Sequence, residues 1–132
     1  MRQVSFFVPG EPRGKARPRV VSGHAYTPRE TADYERMIRL AYTGEIIPQG
    51  VPVRISIVAV YSIPKRASKR QHDAMLAAEI RPTKKPDADN ICKAVMDALN
   101  GIAYHDDAQI CNMQVIKYYG TTPGLEITIG PL

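Results

Sequence analysis

The stretch KKPDADNICKAVMDALNGIAYHDDAQ, residues 84–109, decides the fold of this protein. Pro86 disfavours helical backbone at the residue before it, so the pattern predicts a helix that starts between Asp87 and Asp89, with one of these residues as its cap. Apolar residues then recur at intervals of three and four, as on one face of a helix; they are Ile91, Ala94, Val95, Ala98 and Leu99. The Asn-Gly pair at 100–101 predicts the end of this helix, because glycine tolerates left-handed backbone there.

Acidic residues stand near both ends of the same stretch. Asp87 and Asp89 fall at the predicted helix start, and Asp106 and Asp107 fall where a strand is predicted to follow a short turn. We expect this arrangement to bring the carboxylates toward one place. Their oxygens are hard ligands that suit Mg²⁺ or Mn²⁺. Aspartate is also common at helix caps and in turns, so each acid alone has a second explanation, and Asp106 in particular is a candidate cap of the turn.

Lys93 lies four residues after Asp89 and four before Asp97, so the three side chains share one face of the predicted helix. Two interpretations fit this spacing. The three residues form a ladder of salt bridges, each worth about 0.3–0.5 kcal/mol, or Lys93 is a cation beside a metal site. The spacing alone does not choose between them.

The motifs D-x-D-N-x-x-K, D-A-L-N-G and D-D-x-Q, in this order and spacing, resemble the signature of the RusA-type Holliday-junction resolvases. These are small phage-related endonucleases that cut four-way DNA junctions. The segment VPGEPRGKARPR, residues 8–19, is similar to the start of many members. The resemblance implies that Asp87, Asp89 and Asp107 bind the metal, that Lys93 is the catalytic lysine, and that the protein acts as a homodimer.

Length and composition are those of an ordinary globular protein. The chain has 132 residues, of which 44% are apolar and 23% are charged, so we expect one domain over residues 1–132. No run approaches the roughly 18–20 apolar residues of a membrane span. The beginning of the chain lacks the apolar stretch of a signal peptide, so we expect a cytoplasmic protein. The formal charge of +5 points to a polyanionic partner.

The loop after the first predicted strand is a candidate DNA-binding segment. It carries cations at alternate positions, which in extended backbone lie on one side and can contact successive phosphates; they are Arg13, Lys15, Arg17 and Arg19. A solvated surface loop or hairpin is the alternative. With the resemblance added, we interpret these four residues, together with Lys84 and Lys85, as DNA-binding.

The segment from Ser62 to Lys85, called the basic segment below, contains seven lysines and arginines and only two acids. Its excess of positive charge therefore equals that of the whole chain. Ser68 to Gln71 predicts the start of a short helix that continues to Ala78. The segment is either a mobile basic flap beside the acids or a solvated helical hairpin.

The remaining patterns predict an α+β domain. We expect strands at Gln3–Val8 and Val53–Tyr61, a helix whose cap is Thr27 and whose first residue is Pro28, and a C-terminal β-hairpin that begins at Ile110. In that hairpin, Gly120 to Gly124 would form the turn. This order predicts a mixed or antiparallel sheet with two to three helices in a single RusA-like domain.

The resulting hypothesis is a metal-dependent endodeoxyribonuclease that resolves four-way DNA junctions by paired phosphodiester hydrolysis. Mg²⁺ is the expected cofactor, with Mn²⁺ as a substitute and no other small-molecule cofactor. The expected partners are branched DNA and a second copy of the chain, with no membrane. Two alternatives stay open at this point: a nuclease specific for other branched DNA, such as flaps and forks, and a basic DNA-binding module without catalysis.

Overall fold

The computed structural model describes residues 3–15, 19–26 and 28–132. Within these ranges the strands are β1 (Val4–Pro9), β2 (Arg19–Val21), β3 (His24–Tyr26), β4 (Val53–Ser62), β5 (Ile110–Gly120) and β6 (Gly124–Pro131). The α-helices are α1 (Arg29–Ala41), α2 (Lys69–Leu76) and α3 (Ala88–Leu99), and a short 3₁₀ helix spans Asp107–Gln109. In the part of the chain so described, no helix is both long and apolar enough to cross a membrane.

The main sheet has four strands in the order β1-β6-β4-β5. β6 is antiparallel to β1 and to β4, whereas β4 and β5 are parallel. Alternate residues of β4 are buried, and α1 and α3 pack on each other and on the sheet to close the core. The structure therefore confirms the prediction of an α+β domain with a mixed sheet and three helices.

The predicted C-terminal β-hairpin is wrong. Only three residues separate β5 from β6, yet β4 lies between these two strands in the sheet. Leu125, Ile127 and Ile129 of β6 are buried to 1% exposure or less, whereas β5 is half-buried along most of its length. The more apolar strand thus occupies the centre and the less apolar strand the edge, because burial outweighs the local turn signal.

The predicted helix starts are confirmed in α2 and displaced in α1. Ser68 caps α2 in a capping box: its hydroxyl accepts from the Gln71 backbone N–H at 3.2 Å, and the Gln71 side chain accepts from the Ser68 N–H at 3.0 Å. α1 starts at Arg29, so Pro28 occupies the cap position and is not the first helical residue. The predicted cap, Thr27, lies outside the described residues.

The basic segment contacts β5 through lysine and arginine side chains of both elements. The Arg81 guanidinium lies 3.9 Å from the centroid of the Tyr118 ring, and its Nε donates to the Lys117 carbonyl oxygen at 2.8 Å. The Lys117 ammonium donates to the Lys84 carbonyl oxygen at 2.7 Å, and the Lys84 ammonium lies 5.7 Å from the centroid of the Tyr119 ring. Cation–π contacts and hydrogen bonds therefore connect the segment to the edge of the sheet.

Candidate active site

Helix α3 is fixed in the core by its apolar face. All five residues predicted for that face are buried to 1% exposure or less. Beyond the helix, Gly101 has a φ of 78°, the left-handed conformation that the Asn-Gly pair predicted. The Tyr104 hydroxyl donates to the Met96 carbonyl oxygen at 2.7 Å. The core thus determines where the polar side chains of α3 lie.

Asp87 and Asp89 stand at the start of α3, as predicted. Asp87 occupies the cap position, but its side chain accepts no hydrogen bond from the helix backbone. Helix capping therefore does not explain why an acidic side chain stands at this position. Asp89 is exposed in the first turn, where the helix dipole favours a negative charge. The Tyr61 hydroxyl donates to the Pro86 carbonyl oxygen at 2.7 Å, and burial first, then the Asp87 charge, raises the pKa of Tyr61 to about 12.

Asp106 and Asp107 have different surroundings. The Gln109 backbone N–H donates to the Asp106 carbonyl oxygen at 3.0 Å, and the Gln109 side chain accepts from the Asp106 N–H at 3.1 Å. Asp106 therefore occupies the cap position of the 3₁₀ helix, which is the alternative that the sequence allowed for it. The Gln109 amide also donates to the Pro48 carbonyl oxygen at 2.9 Å and so attaches this turn to the loop before β4. Asp107, the next residue, lines an open groove.

That groove has a volume of about 420 Å³ and is called the α3 groove below. Its lining side chains come from the N-terminal loop, from α3 and from the 3₁₀ helix; they are Lys15, Lys93, Met96, Asp97 and Asp107. Among the residues that the structure describes, Lys93 forms no ion pair, whereas Asp97 pairs with Lys15 at 3.2 Å. The salt-bridge ladder on α3 is therefore wrong, and Lys93 shares the groove with the carboxylate of Asp107.

Lys15, predicted as a DNA contact, is held by two acids. Its ammonium donates to Glu35 Oε1 at 2.5 Å and lies 3.2 Å from Asp97 Oδ2. Partial burial works to lower the pKa of Lys15, but the hydrogen bonds and charges of Glu35 and Asp97 outweigh it and raise this pKa above its usual value.

Glu35 is a residue of the site that the sequence reasoning missed. On α1 the apolar side chain of Met37 is 44% exposed, whereas the acidic Glu35 is 8% exposed. Glu35 directly follows Tyr34, and a buried acid is tolerated there because the Lys15 ammonium compensates its charge. Lys15 and Glu35 are 20 residues apart along the chain, so no local pattern in the sequence pointed to this pair.

The electrostatics around Asp107 are those of crowded carboxylates. Desolvation and then the negative charges of Asp106 and Asp97 raise the pKa of Asp107 above its usual value, while the Ala108 backbone N–H opposes this shift. A cation in the groove would offset the repulsion among these charges.

The donor chemistry of the site fits a hard divalent cation. In the described ranges, however, no group of three or more His, Cys, Asp or Glu side chains is arranged to hold a metal ion. Mg²⁺ usually takes only one or two protein carboxylates and completes its shell with water and substrate phosphate. Asp107 lines the groove and Asp87 and Asp89 stand at the start of α3, so the joint role of these three carboxylates as metal ligands stays a prediction.

The predicted DNA-binding residues lie in different parts of the chain, and the structure describes only some of their side chains. Arg13, Lys84 and Lys85 are exposed. Arg17 lies outside the described residues, and of Arg19 only the backbone, in β2, is described. β2 and β3 form a small antiparallel ribbon at the end of the N-terminal loop.

Carboxylates and a lysine in one groove, on a small domain with excess positive charge, are features typical of metal-dependent nucleases. Residues 9–130 match the family model described as Endodeoxyribonuclease RusA, and the chain belongs to this family. Nucleases of this family act on branched DNA junctions and are generally metal-dependent.

The chain is also similar to a protein from Bacillus subtilis (strain 168) that carries the name "Uncharacterized protein YqaN". The two are 33% identical over 135 residues, which cover 96% of this chain and 94% of the relative. The match thus extends over nearly the whole length of both chains.

Proposed function

We propose that this protein is a Mg²⁺-dependent endodeoxyribonuclease that resolves four-way DNA junctions by paired phosphodiester hydrolysis. The observation that carries the proposal is the α3 groove, in which Lys93 and Asp107 lie together within a RusA-family domain. A lysine without an ion pair, in the same groove as a carboxylate, suits phosphodiester hydrolysis. The phosphoryl oxygens gain negative charge as the bond breaks, and the lysine can stabilise that charge.

Asp87, Asp89 and Asp107 are the residues that would hold the metal. When bound, Mg²⁺ would lower the pKa of a coordinated water and polarise the scissile phosphate, and Mn²⁺ would be expected to substitute for it. The three carboxylates bring negative charge to the start of α3 and to the 3₁₀ helix. Without a cation these charges repel DNA phosphate as well as one another.

Lys93 acts on the scissile phosphate. It extends from α3 into the groove, and in the described part of the chain no acidic side chain pairs with it. Its ammonium is a compact cation that stabilises the charge developing on the phosphoryl oxygens. One pre-positioned donor of this kind typically contributes about 10²–10³ in rate.

The exposed cations bind the arms of the junction through their phosphates. In the sequence, Arg13, Arg17 and Arg19 alternate along the N-terminal segment that also contains Lys15, and Lys84 and Lys85 lie a few residues before α3. In this proposal the positive charges offset the repulsion between the carboxylates and DNA. Such a nuclease would act in recombination and repair of DNA in the cytoplasm.

A panel of labelled substrates tests the proposal. Four-way junctions, flaps, forks and linear duplex of equal length are incubated with the protein in Mg²⁺, and products are resolved on denaturing gels. We expect paired cuts in the four-way junction and at least tenfold slower cutting of the other substrates. Preferential cutting of flaps or forks would show a different nuclease, and binding without any cutting would show a DNA-binding module.

A further inference from the structure

Lys15 differs from the other cations of the N-terminal loop because its charge is engaged within the protein. Its ammonium contacts Glu35 of α1 and Asp97 of α3, and its side chain is 22% exposed. A lysine that neutralises two carboxylates has little charge left to attract a phosphate. To bind one, it would have to leave Glu35 behind as a buried and unpaired acid, which is unfavourable.

The backbone at Lys15 is also attached to α3. The Lys15 N–H donates to the Asn90 carbonyl oxygen at 3.1 Å. Next to it, Gly14 lies so close to α3 that an added Cβ atom would be 2.7 Å from the Cβ atom of Asn90. The loop therefore contacts the first turn of α3 through its backbone and the third turn through the Lys15 side chain.

The contacts of Lys15 join three elements at the edge of the α3 groove. Glu35 is on α1, Asp97 is on α3, and Lys15 belongs to the loop that carries Arg13 on one side and Arg17 on the other. DNA bound by this loop would thus have a fixed position relative to α3, the helix that carries Lys93. The position of the loop relative to the groove is thus set by these two ion pairs together with the backbone contact to Asn90.

We propose that Lys15 is a positioning residue: with Glu35 and Asp97 it forms an electrostatic clamp that fixes the N-terminal loop beside the α3 groove, and it makes no phosphate contact itself. This inference rests on the proposed function for the part that concerns cleavage. Its structural part, a loop held by ion pairs, applies whether or not the protein cuts DNA.

The first experiment measures junction affinity in EDTA over a range of salt concentrations. A cation that contacts a phosphate contributes about 0.9 to the slope of log affinity against log salt. We expect Lys15→Met to leave this slope unchanged, whereas Arg13→Gln, the matched control from the same loop, lowers it by about 0.9. A slope that falls by about 0.9 in Lys15→Met would make Lys15 a phosphate contact and overturn the proposal.

The second experiment measures amide hydrogen exchange of the free protein. Loss of the clamp should speed exchange of the loop amides around residue 15 by about tenfold or more, because local opening then costs less free energy. Arg13→Gln should leave this exchange unchanged. Equal exchange in Lys15→Met and the wild type would contradict the clamp, and this result needs neither DNA nor metal.

The third experiment measures single-turnover cleavage of a four-way junction at saturating protein in Mg²⁺. We expect Lys15→Met to cut about 10²-fold more slowly, as is typical of an ångström-scale misplacement, and Arg36→Gln, at an exposed position of α1, to cut at the wild-type rate. An unchanged rate in Lys15→Met would contradict the positioning role. If the wild type cuts no branched DNA, the proposed function fails, while the salt slope and the hydrogen exchange still decide whether the clamp exists.

The double variant Lys15→Gln/Glu35→Gln is used if Lys15→Met does not fold. Its two amides retain a hydrogen bond of similar shape and leave no unpaired buried charge. The proposal predicts an unchanged salt slope and faster loop exchange for this variant too. A lowered slope or unchanged exchange would overturn it.

Discussion

Asp107 and Lys93 carry opposite charges in one groove, yet neither is neutralised by the other in the described structure. Desolvation and then the neighbouring negative charges raise the pKa of Asp107, and the Lys93 ammonium stands on an exposed part of α3. Groups that only stabilise a fold usually occur as compensated pairs, such as Arg29 with Asp33 on α1. Uncompensated charge in a groove is instead expected where a charged ligand completes the site.

Replacing Asp107 by Asn should abolish junction cleavage and leave junction binding in EDTA as strong as in the wild type or stronger. The substitution removes a proposed metal ligand and a negative charge that repels phosphate. Asp89→Asn should behave in the same way. Cleavage gels and fluorescence anisotropy check this, with Asp73→Asn on α2 as the matched control. Cutting by Asp107→Asn at the wild-type rate would remove this residue from the active site.

Replacing Lys93 by Met should slow cleavage by about 10²–10³ and change metal affinity little, because the ammonium acts on charge that develops during the reaction. Thermal stability should stay within about 0.5 kcal/mol of the wild type, since the side chain is exposed and the described residues offer it no ion pair. Lys69→Met, an exposed lysine of α2, is the control. A loss of stability without a loss of rate would assign Lys93 a structural role.

At the scale of elements, local signals predicted α3 and its ends within about one residue. The nearly continuous run of β-branched and apolar residues predicted β4 equally well, because both patterns depend only on near neighbours in sequence. The partner strands of β6 were not predictable in this way. A tight turn after β5 favours a hairpin locally, but the competition among strands for the centre of the sheet is settled by total burial.

The sequence was equally unable to predict which charged side chains form ion pairs with one another. Lys93 has acids four residues away on either side, yet Asp97 pairs with Lys15, which is 82 residues distant along the chain. Only the packing of the N-terminal loop on α1 and α3 creates this pair. The sequence thus indicated which residue types belong to the site, and the fold determines which of them remain available to a ligand.

Replacing Arg13, Arg17 and Arg19 together by Gln should weaken junction binding and flatten its salt dependence. Each lost phosphate contact should lower the slope of log affinity against log salt by about 0.9. Affinity measured in EDTA between low and moderate salt checks this, with Arg36→Gln on the exposed surface of α1 as a control. An unchanged slope would move the DNA-binding surface to Lys84, Lys85 and the rest of the basic segment.

At the scale of the whole molecule, a four-way junction requires two cuts. The described structure contains one α3 groove with Lys93 and Asp107, so paired cuts call for two subunits, most simply related by a twofold axis. We therefore propose that the working form is a symmetric homodimer.

Sedimentation at micromolar concentration should show twice the monomer mass. A cruciform plasmid should yield mainly linear product, because a dimer makes both nicks within one binding event. A monomer that leaves nicked circles would contradict the homodimer, without excluding a nuclease that cuts one strand at a time.

The most direct test of the central claim, that the α3 groove is a metal-dependent nuclease site, is the single-turnover cleavage rate of a labelled four-way junction in Mg²⁺ and in EDTA. We expect symmetric cuts in Mg²⁺, no product in EDTA, and restored cutting when excess Mg²⁺ is added back. Asp107→Asn should give no product under any of these conditions. Junction cutting that persists in EDTA, or an absence of product in Mg²⁺ and in Mn²⁺ from protein that binds the junction, would contradict the account.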